Sequence, residues 1–336
     1  MKHIAGTLVC ALALVIAAAF MPQPAEAAGS SATVTFTSST EWGFNLLNRK
    51  VTATSGLVEK YYPDIEESSG VTAGDVLVAA HIQKYGKAFT NDPTEFMEIV
   101  DSDYGAYAKT IFGKANMKCY INNKAITTSI SDTVVSNNAK VQTVTFSTGD
   151  TSWSAQYTYF SKETYRVNAG NNLDVKLRAL SMDSNWNETL VGAAPTADIM
   201  NVKNGRLCSF DSETDSNGVA KISFSNPGTY TISAVGEESH TMFCPVATVK
   251  VGLNTPKAKM KKKTGTGATI SWSAVKGARQ YKVYRSTSKN GKYRVVKTTS
   301  KRSWSDSKLR KGRHYYYKVF AFRGSIHSKS SSILVK

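Results

Sequence analysis

The chain is poor in the residues that build metal centres and redox sites. It has four cysteines and five histidines in 336 residues, with no C-x-x-C pair and no histidines at metal-ligand spacing. We therefore expect no structural zinc site. Nucleophile elbows (G-x-S-x-G), phosphate loops, H-E-x-x-H motifs and dinucleotide fingerprints are also missing. These absences disfavour the common catalytic classes, and we expect a protein that is not an enzyme and needs no cofactor.

Long apolar runs are missing too, except at the N-terminus. There, Lys2 and His3 precede the apolar residues 4–20, and the small-x-small triplet Ala25-Glu26-Ala27 follows. This order is typical of a secretory signal peptide, residues 1–27, whereas an uncleaved anchor is the alternative. No later stretch is long and apolar enough to span a bilayer. We expect an extracellular protein, secreted or attached to the cell surface, with no transmembrane segment after cleavage.

Acidic residues are almost absent from the last quarter of the chain. Residues 253–336 contain 23 Lys and Arg but one acid, Asp306, and so carry +22 (23 − 1). The whole chain carries only +17, which leaves −5 (17 − 22) for the residues before them. Charge segregated in this way indicates a polyanionic partner, or a solvated basic face, more than it indicates a fold.

Three cysteines follow the signal peptide: Cys119, Cys208 and Cys244. An oxidising compartment permits one disulfide among them and leaves one thiol over. Cys208 and Cys244 fall in one predicted domain, which favours that pair. Three unpaired thiols are the alternative.

Residues 29–150 mix helical and strand patterns. Thr72 and Asp75 form a capping box before an apolar run, and Gly86 suits a helix end, so residues 71–86 are predicted to be a helix. His81 lies near the edge of its apolar face and is interpreted as structural. Two shorter helices are predicted at residues 93–100 and 107–112, and alternation predicts strands at residues 32–37, 117–121 and 141–146.

This region resembles transcobalamin-like C-terminal domains of secreted and surface proteins from Gram-positive bacteria. The resemblance rests on residues 55–58, on residues 79–86, and on the strand and turn Tyr120-Ile121-Asn122-Asn123-Lys124. The family has glycine where this chain has Asn123, which still tolerates a positive φ. The resemblance implies an α+β domain and a small-molecule ligand such as cobalamin. It does not assign a role in cobalamin binding to any residue of this chain.

Residues 158–252 show the alternation and turns of an all-β domain. Asn217-Gly218 and Pro227-Gly228 are strong turn formers that separate strands of period two. Together with Thr229-Tyr230-Thr231-Ile232 they resemble the last hairpins of bacterial immunoglobulin-like domains. The resemblance implies a β-sandwich.

Residues 264–336 resemble a fibronectin type III domain. The matching residues include Trp272, residues 281–285, residues 304–306 and residues 315–321. The resemblance implies a second sandwich, with Trp272, Tyr281 and Val283 in its core. Leu309 with Tyr315 or Tyr317 would form the tyrosine corner. The predicted fold class is therefore mainly β and multidomain, an N-terminal α+β domain followed by two β-sandwiches.

The basic C-terminal module is the candidate for attachment to an anionic cell wall or glycan. Its candidate polyanion-binding residues come from the Lys-rich linker and from outward strand positions: Lys261, Lys262, Lys263, Lys282, Arg285, Lys318 and Arg323. Aromatic residues interleave with these cations, but the sandwich core accounts for them, and export makes nucleic acid an unexpected partner. The predicted function is a cell-surface binding or adhesion protein. Alternatives are capture of a cobalamin-like nutrient by the N-terminal domain and an accessory role in a carbohydrate-active system.

Overall fold

The computed structural model describes residues 30–40, 43–115, 117–145, 156–182, 188–191, 196–236 and 242–335. The predicted signal peptide lies outside the described residues. Among the described residues, two compact units are present, one within residues 30–37 and 48–145, the other within residues 38–47 and 156–335. Strands dominate, which confirms the mainly β, multidomain fold class.

The first unit combines helices with two sheets. Its elements are β1 (Ser31–Thr40) and β2 (Gly43–Thr54), of which residues 38–47 count with the second unit, followed by α1 (Leu57–Tyr61), α2 (Ala73–Tyr85), α3 (Lys87–Asn91), a 3₁₀ turn (Pro93–Glu95), β3 (Met97–Val100), β4 (Tyr107–Ile111), β5 (Lys114–Ala115), β6 (Met117–Ile121), β7 (Lys124–Ala125) and β8 (Lys140–Thr145). The larger sheet has the order β2-β1-β8-β6-β7, and the smaller one β3-β4-β5.

Helix α2 begins and ends as its sequence predicts. The Thr72 hydroxyl accepts from the Asp75 amide, and the Asp75 carboxylate accepts from the Thr72 amide, which completes the capping box. These bonds satisfy amides that the first helical turn leaves without partners. At the other end, Gly86 has a φ of 58° and its amide donates to the Ile82 carbonyl.

The two shorter predicted helices differ from the structure. Residues 97–100 and 107–111 are the antiparallel strands β3 and β4, with Met97 opposite Ile111. Lys109 and Glu98 form a salt bridge of 2.9 Å on this pair. A short apolar pattern is compatible with either a helix or a strand. Pairing between β3 and β4 is what makes these residues strands. The predicted Asn122-Asn123 turn is confirmed, since both residues have positive φ (53° and 63°) between β6 and β7.

The central part of the second unit is a sandwich. Its strands are β9 (Thr158–Phe160), β10 (Thr164–Asn168), β11 (Asn172–Met182), β12 (Glu188–Val191), β13 (Ala197–Lys203), β14 (Arg206–Glu213), β15 (Val219–Ser223), β16 (Gly228–Gly236) and β17 (Ala247–Gly252). One sheet has the order β10-β17-β16-β13-β14, and the other joins β9, β12 and β15 to β11. Buried apolar residues from strands of both sheets form one core cluster.

The C-terminal part is a second sandwich with its own core. Its strands are β18 (Ala258–Lys263), β19 (Ala268–Trp272), β20 (Gln280–Ser286), β21 (Arg294–Thr299), β22 (Ser303–Asp306), β23 (Tyr315–Arg323), β24 (Ile326–His327) and β25 (Ser331–Val335). Strands β18-β19-β22 form one sheet; β21, β20, β23, β24 and β25 form the other.

The core of this sandwich contains the aromatic residues that the sequence places there. Trp272, Tyr281 and Val283 are buried, and the two rings are 5.6 Å apart. Tyr315 makes the tyrosine corner, because its hydroxyl accepts from the Arg310 amide at 3.0 Å. The sandwich begins earlier than the predicted boundary at residue 264, since the Lys-rich segment is strand β18 and pairs with β19.

The predicted Cys208–Cys244 disulfide is not formed. Cys208 is half-buried on the edge strand β14, opposite Asn201 of β13. Cys244 is buried before β17, and its amide donates to the Thr40 carbonyl. Sharing one predicted domain therefore does not bring the two sulfurs together. Cys119 is buried on β6, where burial raises the pKa of its thiol to about 12.

Candidate anion-binding cleft

The single acid of the basic sandwich is held inside it. Asp306 is 2% exposed at the end of β22. Its carboxylate accepts from the Arg285 guanidinium at 2.7 Å, from the Tyr317 hydroxyl at 2.9 Å and from the Lys308 amide at 3.0 Å. Burial beside this carboxylate raises the pKa of Tyr317. Asp306 therefore neutralises Arg285 and leaves the exposed cations of the sandwich without an acidic neighbour from residues 253–336.

Six cations line an open cleft of about 760 Å³ in this sandwich. They come from the end of β20, the turn between β20 and β21, the start of β21 and the loop between β22 and β23: Arg285, Lys292, Arg294, Lys308, Arg310 and Arg313. All except Arg285 are exposed. Ser286, Thr287, Ser288 and Tyr315 also line the cleft.

The loop that carries Lys308 and Arg310 is held by its backbone. The Lys308 amide bonds to Asp306, the Leu309 amide donates to the Thr266 carbonyl, and the Arg310 amide donates to Tyr315. Leu309 is buried in the core, so its cationic neighbours are directed outward. The cleft therefore has a base that is held by backbone hydrogen bonds, and cationic side chains extend from it.

The facing turn is also held in place. The Ser288 amide donates to the Ser286 hydroxyl oxygen at 3.2 Å, and the Gly291 amide donates to the Ser288 carbonyl. The Tyr293 hydroxyl donates to the Lys289 carbonyl at 3.0 Å, while the Lys318 ammonium lies 4.2 Å from the centre of the Tyr293 ring. These contacts hold the turn of residues 286–293, which carries Lys292 and directly precedes Arg294.

The seven cations selected from the sequence do not form one surface. Only Arg285 lines the cleft. Lys282 lies over the Phe322 ring at 4.6 Å and Lys318 over Tyr293, which are cation–π contacts. Lys261, Lys262 and Lys263 are exposed on β18.

Arg323 forms hydrogen bonds within the second unit. Its guanidinium donates to the Asn226 side chain at 2.8 Å and to the Gly277 carbonyl at 3.2 Å. Asn226 belongs to the central sandwich and Gly277 to the C-terminal one, so Arg323 bridges the two. A second bridge is Asn254, whose side chain donates to the Ala169 carbonyl at 3.2 Å.

Sequence reasoning missed five of the six cleft cations: Lys292, Arg294, Lys308, Arg310 and Arg313. The sequence pattern indicates the Lys-rich linker and the outward positions of strands, whereas most of these five residues lie in turns. The signal that could have found them is the density of cations in two turns, residues 289–294 and 308–313.

His81 of the first unit has both ring nitrogens occupied. Nδ1 donates to the Leu77 carbonyl at 2.8 Å, and Nε2 accepts from the Phe112 amide at 2.9 Å. The ring stacks on Phe112 at 4.0 Å, and burial lowers the pKa of the imidazole to about 4. His81 is therefore neutral at physiological pH and structural, as predicted.

Among the residues that the structure describes, no three His, Cys, Asp or Glu side chains are grouped closely enough to hold a metal ion. No helix described by the structure has the length and apolar character needed to cross a membrane.

No protein-family model and no curated protein matches the chain. Among solved structures, it is similar to a two-domain fibronectin type III segment of chicken tenascin, with 20% identity and a TM-score of 0.39 over 53% of this chain and 97% of that one. It is also similar to an Fn3-like protein from Clostridium thermocellum, with 26% identity and a TM-score of 0.22 over 25% of this chain and 88% of that one. The fn3 domain of the human collagen alpha-1(XX) chain shows 25% identity and a TM-score of 0.22 over 24% and 81%. These similar structures are fibronectin type III-like β-sandwich domains.

Proposed function

We propose that this is an exported surface-binding protein whose C-terminal sandwich attaches it noncovalently to an anionic cell wall or glycan. The observation that carries the proposal is the cleft of six cations in a segment whose one acid is already paired inside the fold. The signal-peptide pattern supports export, and the N-terminal α+β unit is left to recognise a further partner. Attachment of this kind is noncovalent, so it needs no reaction that joins the protein to the wall.

The physical basis is multivalent charge attraction. Each exposed Lys or Arg that contacts an anionic group releases a counterion, so affinity falls steeply as salt rises. At about 0.15 M ionic strength, charges separated by more than about 8 Å are largely screened. Cations in one cleft lie closer to one another than cations scattered over the surface. Several of them therefore attract the same stretch of an anionic polymer despite the screening. The cleft is therefore the part of the basic surface best suited to hold a polymer at physiological salt.

The test uses the mature chain, residues 28–336, with purified Gram-positive walls before and after chemical removal of their anionic polymers. We expect the protein to sediment with intact walls at low ionic strength and to be released by added salt. Stripped walls should leave it in the supernatant. Protein that stays in the wash of intact walls at low salt would contradict the attachment function.

A further inference from the structure

The cleft differs from a diffuse basic surface in the type and placement of its cations. Four of its six cations are arginines. A guanidinium presents a planar fork of donors that matches two oxygens of a phosphate or sulfate group, whereas an ammonium acts as a point charge. Predominance of arginine therefore favours tetrahedral oxyanions bound with defined geometry.

Arg285 is oriented before any ligand arrives. Its guanidinium donates to Asp306 at 2.7 Å and lies over the Tyr315 ring, 5.3 Å from the ring centre. Asp306 neutralises this one charge, so the six cations and one acid leave the cleft with +5 (6 − 1). Among the described residues, none of the other five cations forms a salt bridge.

The cleft also offers neutral donors and enough room for more than one anionic group. Ser286 is 8% exposed, and its hydroxyl oxygen accepts from the Ser288 amide, which leaves its proton to donate. The exposed hydroxyls of Thr287 and Ser288 lie on the same wall. A volume of about 760 Å³ is within the range of about 300–1,000 Å³ for ligand pockets. Two or more phosphate-sized groups in a row would use this space and this charge.

We propose that the cleft is a discrete, saturable site for consecutive phosphate or sulfate ester groups of a polymer. The proposal rests on the polyanion-binding function and adds a location, a ligand chemistry and a stoichiometry. The anchored loop 308–313 and the turn 286–291 hold two sides of the site, and arginine forks contact the oxyanions. Cations elsewhere on the sandwich contribute only long-range attraction.

Inorganic tripolyphosphate is the probe, because it is too short to bind by spreading over a whole surface. Calorimetric titration of the mature chain should show one site per molecule. The double variant Arg310→Gln/Arg313→Gln should weaken binding by at least about tenfold, since it removes two charge-assisted contacts. The matched control Arg279→Gln/Arg302→Gln removes the same charge from exposed positions outside the cleft and should change affinity by less than about twofold. Equal thermal melts of both variants would show that each is folded.

Competition then distinguishes the two sources of the ester groups. A glycerol-phosphate polymer or a sulfated dextran that displaces tripolyphosphate identifies its own chemistry as the ligand, and displacement by neither overturns the site. If both double variants weaken tripolyphosphate binding equally, the discrete site is wrong while wall attachment can still hold. If the cleft variant binds tripolyphosphate normally, the location is wrong. Failure of the unaltered chain to bind intact walls would reject the attachment function itself.

Discussion

The guanidinium of Arg285 lies 2.7 Å from the carboxylate of Asp306, the one acid among the last 84 residues. The Asp306 side chain is 3% exposed and the Arg285 side chain 26% exposed. This pair connects the sandwich core to the basic cleft, because Arg285 lines the cleft while Asp306 also bonds to Tyr317.

Asp306→Asn should destabilise the protein strongly. The change leaves the Arg285 charge without its carboxylate, and because Arg285 is partly exposed we expect a cost of about 2 kcal/mol in the free energy of unfolding, less than for a fully buried pair. Urea denaturation followed by the fluorescence of Trp272 and Trp304 measures the loss. Glu213→Gln, an exposed acid on β14, is the control and should change stability by less than about 0.5 kcal/mol. Equal stability of the Asp306 variant and the unaltered protein would show that the pair is not stabilising.

The first unit should lose stability as pH rises through neutrality. The pKa of Glu67 is raised to about 7, chiefly by burial and also by the neighbouring Asp75 carboxylate, while hydrogen bonds from the Thr72 hydroxyl and the Glu59 amide oppose the rise. A raised folded-state pKa means that the folded protein holds the proton more tightly. The stabilisation is complete below the ordinary pKa of 4.5 and is lost as pH rises through about 7.

Hydrogen exchange of the α2 amides, corrected for intrinsic rates, measures this effect between pH 5 and 8.5. We expect protection to fall by the equivalent of about 1 kcal/mol, since Glu67 is only half-buried and solvent screens it. Glu67→Gln should flatten the profile because it removes the titrating group. The prediction fails if protection in the unaltered protein is independent of pH.

Arg323→Gln should loosen the contact between the two sandwiches with little effect on total stability. The guanidinium donates to Asn226 and to Gly277, and losing partly exposed bonds costs about 1 kcal/mol or less. Hydrogen exchange should become faster in residues 225–228 and 275–278. Arg302→Gln is the control, and unchanged exchange in the Arg323 variant would show that the bridge does not hold the sandwiches together.

The three thiols should react in an order set by burial. Cys208 is half-buried, whereas Cys119 and Cys244 are buried. Because thiolate and access are both needed for reaction, a disulfide-exchange reagent should modify Cys208 first and Cys119 only after unfolding. Mass spectrometry of the labelled peptides reads out the order. A native chain 2 Da lighter than its reduced form would instead show that a disulfide exists.

Local chemistry made several elements predictable. The capping box of Thr72 and Asp75 acts within one helical turn, so its residues specify the start of α2 whatever surrounds it. The Asn122-Asn123 turn and the alternation around Trp272 and Tyr281 are local in the same sense. In contrast, residues 107–111 are a strand because β3 pairs with them, and a pairing partner is not visible in a short apolar pattern.

The sequence alone determined the excess of charge in residues 253–336, the single acid among them, and the alternating apolar positions that form their core. Only the tertiary structure decided which cations act together. In the folded protein, Arg323 forms hydrogen bonds between the two sandwiches, and Lys282 and Lys318 lie over aromatic rings. Six cations that are separated in sequence line one cleft. The reason is that total charge is additive along a chain, whereas a binding site depends on distances between segments that only folding sets.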